Sequence, residues 1–141
     1  MALARTIPAL PVRDMEQAVR CYTGQLGFEL PHRDDAFAIV RRDDAELHLW
    51  LADDARWSAR GDLAERPVRS GAESFLSGTA SCRIEVTGES SVDTLFAELA
   101  EKQLIHHVSR DGVQTTDYGT QEFHVLDADG NLLTFFSRVR S

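Results

Sequence analysis

Apolar residues recur along this chain at two spacings, and the order of those spacings is its first informative feature. Thr6-Ile-Pro-Ala-Leu-Pro-Val12 is apolar, yet Pro8 and Pro11 lack the N–H a sheet ladder needs, which predicts an edge strand. Asp14 then stands at an N-cap position with Gln17 three residues on. Met15, Ala18, Val19, Tyr22 and Leu26 follow at helical spacing until Gly27 ends the pattern. Phe28 to His32 reads as extended, and Phe37–Val40 with Glu46–Leu51 predicts a hairpin turning at Asp43-Asp44. The first half is therefore strand, helix, three strands.

From Asp53 to Gly78 the periodicity disappears among glycines, Pro67 and mixed charges, which marks a long connection. Ala80–Val86 repeats a strand. Ser90 or Ser91 is expected to cap a helix carrying Val92, Leu95, Phe96, Leu99 and Leu104, and strands follow to Ser137. The halves can be aligned. Val12 and Val86 end the opening strands at an offset of 74. The closing hairpins match at an offset of 86, which places Phe37, Ile39, Leu47, Leu49 and Trp50 on Phe123, Val125, Leu133, Phe135 and Phe136. The difference implies 12 inserted residues in the second half, expected around residues 110–120.

With 141 residues, 43% of them hydrophobic and 27% charged, the chain suits one globular domain with a single core. Asp and Glu outnumber Lys and Arg by 23 to 15, for a net charge of −8. That balance repels phosphate backbones and anionic lipid, so neither nucleic acid nor membrane is expected as a partner, and cationic ligands are favoured. The two cysteines, Cys21 and Cys82, exclude a disulfide scaffold and form no Cys-x-x-Cys pair. No apolar run approaches the roughly 20 residues of a membrane span, and residues 1–10 lack a signal-peptide core. A cytoplasmic location is expected.

Leu10-Pro-Val-Arg-Asp14, Tyr22-Thr-Gly-Gln-Leu-Gly-Phe28 and Asp127-Ala-Asp-Gly-Asn131, in that order, resemble the vicinal oxygen chelate superfamily of glyoxalases, bleomycin-resistance proteins and dioxygenases. The resemblance covers nearly the whole chain outside residues 53–78. Glu46-Leu-His-Leu-Trp50, Gly78-Thr-Ala-Ser-Cys-Arg83 and Asp117-Tyr-Gly-Thr-Gln-Glu-Phe123 look closest to bleomycin-resistance proteins. The resemblance implies an α+β fold of two tandem βαβββ modules forming a cup-shaped mixed sheet, in a homodimer whose clefts both subunits complete. Within the single domain, module one would span residues 5–54, the connection 55–78 and module two 79–139.

Enzymes of that superfamily hold a divalent metal on opening and closing strands. The repeat puts the matching positions at Ile7, Ser81, His48 and Thr134, of which His48 alone is a good ligand. No metal and no cofactor are therefore expected. His48 reads either as a donor to a ligand or as a histidine satisfied by nearby backbone. His106, His107 and His124 form no triad, and His124 is expected to alternate away from the face of Thr134. Cys21 and Cys82 read mainly as packing residues.

Alternation predicts an inner face of Phe37, Ile39, His48 and Trp50 in module one, and of Phe123, Val125, Thr134 and Phe136 in module two. Leu47, Leu49, Leu133 and Phe135 would then face the helices. In bleomycin-binding relatives the positions of Asp117, Tyr118 and Glu122 present an acid and an aromatic at the cleft rim. Trp57, in the connection, would either close over a ligand or anchor its loop. The expected binding residues are Phe37, His48, Trp50, Trp57, Asp117, Tyr118, Glu122 and Phe136, with no catalytic residue. The resemblance implies sequestration of a flat, cationic antibiotic of the bleomycin class. The alternative is a lyase, isomerase or dioxygenase acting on a small metabolite.

Overall fold

The computed structural model describes residues 1–52, 72, 75–88 and 92–139. Module one contains β1 (Ala9–Val12), α1 (Met15–Arg20), β2 (Glu29–Arg33), β3 (Phe37–Arg42) and β4 (Ala45–Leu51). Module two contains β5 (Ser81–Glu85), α2 (Val92–Ala100), β6 (Gln114–Thr115), β7 (Thr120–Leu126) and β8 (Leu132–Arg138). Each module is thus βαβββ, and the fold is α+β. The expected caps Ser90 and Ser91, and Trp57, lie outside the described residues.

Local signals account for α1. The Asp14 carboxylate accepts a hydrogen bond from the Gln17 amide at 3.0 Å, which satisfies one of the orphan donors of the first turn. The helix was expected to run regularly to Leu26, but it widens after Arg20 into a π-helical turn, Cys21–Gln25. There the Thr23 hydroxyl donates to the Val19 carbonyl at 2.7 Å, within the helical ladder. Gly27, at φ 78°, then turns the chain out of the helix.

The strands form two four-stranded mixed sheets, ordered β1-β4-β3-β2 and β5-β8-β7-β6. The first strand of each module lies at a sheet edge, parallel to the last, where Pro11 of β1 is tolerated. In β1, Ala9 stands opposite His48, and in β5 Arg83 stands opposite Thr134. Both pairs fit the offsets of 74 and 86 found in the sequence.

The hairpins do not match so simply. Phe37 pairs with Trp50 and Ile39 with His48, as expected. In module two, however, Glu122 pairs with Phe136 and His124 with Thr134. Phe123 and Val125, expected on the inner face, instead lie opposite Phe135 and Leu133 in the core, with no exposed surface on either. The cause is one turn residue. Asp43 and Asp44 alone separate the paired Arg42 and Ala45, whereas Asp127 donates its amide to the Asn131 carbonyl across Ala128, Asp129 and Gly130. Gly130, at φ 93°, supplies the left-handed residue of such a three-residue loop. A one-residue slip moves every β7 side chain to the opposite face.

The insertion in module two also begins earlier than expected. It lies within residues 101–113, before β6, and includes the short helical turn His107–Ser109. One continuous core unites the modules: Leu47, Leu49, Leu133 and Phe135 face inward as the alternation predicts, joined by Tyr22 and by Leu99 of α2. Phe96 of α2 meets Phe123 edge-on at 5.3 Å, and Phe123 stacks on Phe135 at 5.4 Å. Among the described residues no helix is long and apolar enough to cross a membrane.

Candidate functional site

Because alternate residues of each sheet enter the core, the remaining ones make two open faces turned away from the helices. The face of module one is aromatic. Phe37 and Trp50, opposite each other on β3 and β4, have ring centroids 4.4 Å apart and planes inclined by 36°. His48 meets Phe37 edge-on at 5.1 Å, and His32 of β2 lies 5.6 Å from the same ring. The Trp50 indole nitrogen is enclosed and has no hydrogen-bond partner among the described residues. His48 Nε2 lies 3.0 Å from Glu46 Oε2, and Arg41 donates to Glu46 Oε1 at 2.7 Å. The bonds from Arg41 first, then His48, hold the Glu46 carboxyl below its usual range.

The face of module two is built on charge. Arg83 of β5 donates to Glu122 Oε2 at 2.9 Å, and its guanidinium lies 4.6 Å from the centre of the Phe136 ring. Arg138 approaches that ring at 5.8 Å. Thr120 donates to Glu122 Oε2 and Tyr118 to Glu122 Oε1, both at 3.0 Å. Burial works to raise the Glu122 carboxyl, but these three donors outweigh it and the net shift is downward. Glu122 is only 6% exposed. It is therefore an anchor for Arg83 and Tyr118, and of the two expected acids the one presented to solvent is Asp117, exposed at the tip of the β6–β7 turn.

The slip in β7 corrects two further expectations. His124 faces the same side as Thr134, with Nδ1 2.7 Å from the threonine hydroxyl, instead of alternating away from it. Burial depresses the His124 pKa, aided by His106 and Arg83 and opposed by Glu122. The residues opposite His48 and Thr134 on the opening strands are Ala9 and Arg83, two positions beyond the expected Ile7 and Ser81, and neither ligates metal. Among the described residues no group of three His, Cys, Asp or Glu side chains is arranged to hold an ion. Cys21 and Cys82 are free, and burial first of all pushes both thiols up to about 11, which disfavours the thiolate at neutral pH.

Of the expected binding residues, Phe37, His48 and Trp50 share one open face, and Tyr118, Glu122 and Phe136 share the other. Trp57 lies outside the described residues. Among the described residues no hydrogen bond, ion pair or ring contact joins the two faces. Sequence reading missed Arg83, His32 and Glu46. Alternation along β5, with Ser81, Arg83 and Glu85 opposite in sense to Cys82 and Ile84, carries the signal for Arg83.

Paired βαβββ modules with an aromatic face and a guanidinium-bearing face define a two-module ligand-binding fold. The chain belongs to the glyoxalase/bleomycin resistance protein/dioxygenase superfamily, which it matches over residues 4–135. It is 37% identical over 139 residues to bleomycin resistance proteins of Geobacillus stearothermophilus and Staphylococcus aureus, covering 99% of this chain and all of theirs. Its fold matches the bleomycin-binding protein of Streptomyces verticillus, solved with copper(II)-bleomycin, at a TM-score of 0.68 and 24% identity, covering 100% of this chain and 99% of that one. A lactoylglutathione lyase of Agrobacterium tumefaciens gives the same TM-score at 17% identity, over 95% of this chain and 92% of that one. The shared fold therefore does not separate binder from enzyme.

Proposed function

We propose that this protein sequesters a flat, cationic antibiotic of the bleomycin class without transforming it, in clefts completed by two copies of the chain. The observation that carries this reading is the Phe37–Trp50 platform: two rings 4.4 Å apart on an open sheet face, bordered by His32 and His48. The full-length likeness to bleomycin resistance proteins supports it. Planar heteroaromatic groups gain about 1 to 3 kcal/mol per stacked ring on such a surface, and a net charge of −8 accelerates capture of a cation. Asp117 and Tyr118 would stand at the rim. Glu122 would act through the side chains it holds.

The modules of one chain present their open faces without joining them, so a closed cleft would set module one of one copy against module two of another. In a two-fold pair the same contact occurs twice, which gives two clefts and one ligand per chain. The protein would work in the cytoplasm, with no metal of its own, its ligand bringing whatever ion it chelates.

Calorimetric titration of chelator-treated protein with copper-bleomycin tests this reading. Saturable binding at one ligand per chain, with the ligand recovered unchanged, is the expected result. Absence of binding heat at every temperature tried, or conversion of the ligand, would overturn it.

A further inference from the structure

Behind the sheets, on the side away from both open faces, the modules leave a groove of about 480 Å³ between the β3–β4 turn, β5 and α2. This volume falls within the range of small-molecule sites. Phe28, Ile84, Leu95 and Phe135 supply an apolar lining, and Asp43, Asp44 and Glu98 supply carboxylates. Against these three acids the lining has, among the described residues, one basic residue, Arg42.

Arg42 is already engaged. It donates through Nη1 to the Leu26 carbonyl at 2.7 Å and to Glu98 Oε2 at 2.8 Å, and through Nη2 to Glu98 Oε1 at 3.2 Å. That clamp fixes a wall of the groove by tying the end of β3 to α2. Gly27 makes it possible, because a Cβ at that position would lie 2.9 Å from Arg42 Nη1. Glu85 lines the groove only along its strand, because its side chain turns to the open face and accepts from Arg138 at 3.2 Å. Asp43 and Asp44 are exposed and make no side-chain hydrogen bond or ion pair among the described residues. The groove thus combines an apolar lining with two uncompensated carboxylates beside it.

We infer that this groove is a second binding site, for a cationic amphiphile: a small molecule with an apolar body and an ammonium head. The body would lie on Phe28, Ile84 and Leu95 while the head reaches Asp43 and Asp44. An anionic counterpart would meet the same carboxylates and be repelled. Ile84 and Phe135 point to the helix side of their sheet, so the thickness of the sheet separates this site from the open faces. Its occupancy is independent of antibiotic binding there.

The test uses the full chain, followed by amide NMR shifts during titration with phenylbutylammonium, with phenylpentanoate as the anionic control. Saturable shifts at Ile84, Thr87 and Leu95 are expected, with the ammonium bound about tenfold more tightly than the carboxylate, because each exposed carboxylate contributes only weakly. Replacing both Asp43 and Asp44 by Asn, at exposed turn positions that leave the core intact, should remove most of that preference. Saturating copper-bleomycin should leave the groove shifts in place. Absence of saturation, equal binding of both probes, or shifts confined to the open faces would each overturn the site. So would groove shifts that follow protein concentration instead of the probe, which would assign the groove to a contact between copies.

Discussion

The Tyr22 hydroxyl donates to Asp127 at 2.9 Å inside the core, across a sequence separation of 105 residues. Asp127 also accepts from the Asn131 side chain at 3.0 Å and from the Asp129 and Asn131 amides at 2.9 Å each, while Asn131 donates to the Pro11 carbonyl at 2.8 Å. Asp127 and Asn131 together therefore tie the π-helical turn after α1, β1 and the β7–β8 turn to one another. Burial holds the Tyr22 phenol protonated far above ordinary pH, so it remains a donor. Tyr22→Phe should cost about 1.5 to 3 kcal/mol of stability, the range for a hydrogen bond to a charged group. Urea unfolding reads this as a lower midpoint at unchanged slope. An unchanged midpoint would show that the bond adds nothing.

Adjacent residues of β4 should behave oppositely. Leu49 has no exposed surface and faces the core, so Leu49→Ala should cost about 2 to 5 kcal/mol of stability. Trp50 faces outward against Phe37, so Trp50→Ala should weaken copper-bleomycin binding by about 1 to 3 kcal/mol while the fold persists. Calorimetry with parallel thermal melts separates the two. A Trp50→Ala protein that binds normally would remove the platform from the proposed site.

Acid should weaken the fold in two stages. His124 has a depressed pKa when folded, so the unfolded chain binds its proton first. Stability present above about pH 6.5, the ordinary histidine value, is lost as pH falls from there toward the folded value. Glu122 is depressed below the ordinary carboxyl value, so its contribution persists above about pH 4.5 and fades as pH falls through its folded pKa. His124→Gln should flatten the first stage and leave the second. An unaltered profile in that variant would assign the first stage to another group.

Charge at the proposed cleft should divide between capture and architecture. Asp117→Asn is expected to slow copper-bleomycin association and reduce its salt dependence, because an exposed carboxylate acts on encounter. Glu122→Gln should instead cost stability, since it leaves Arg83 without its carboxylate. Stopped-flow association at two salt concentrations, with melts of both variants, checks the division. Equal kinetic effects in the two variants would restore Glu122 as a direct contact.

Chelator treatment should leave the melting temperature unchanged, because no bound ion would contribute to folding by linkage. In light scattering the proposed shared cleft requires the mass of two chains in dilute solution. A single-chain mass would remove that arrangement while leaving the platform to be judged by titration.

Much of the architecture was written in local patterns. Asp14 and Gly27 bound the first helical segment, Pro8 and Pro11 confine β1 to an edge, and the tight turn at Asp43-Asp44 fixes the pairing of Phe37 with Trp50. These signals act over a few residues, where the sequence and the conformation meet directly. The repeat offset of 74 holds between Ala9 and Arg83, although Ile7 and Ser81 were the positions expected beside His48 and Thr134.

Tertiary structure decided what a single residue of turn length controls. Gly130 in Asp127-Ala-Asp-Gly marked a three-residue loop, but a uniform offset of 86 aligned the hairpins by chemical type and passed over it. Phe123 and Val125 are as apolar as the inner-face residues they were matched with, so hydrophobicity could not tell the two registers apart. Pairing across β7 and β8 could. It sent those two side chains into the core and brought Glu122 and His124 to the open face, where Arg83 arrives from β5 to neutralise the glutamate. That ion pair joins residues distant in the chain, and strand pairing alone brings them together.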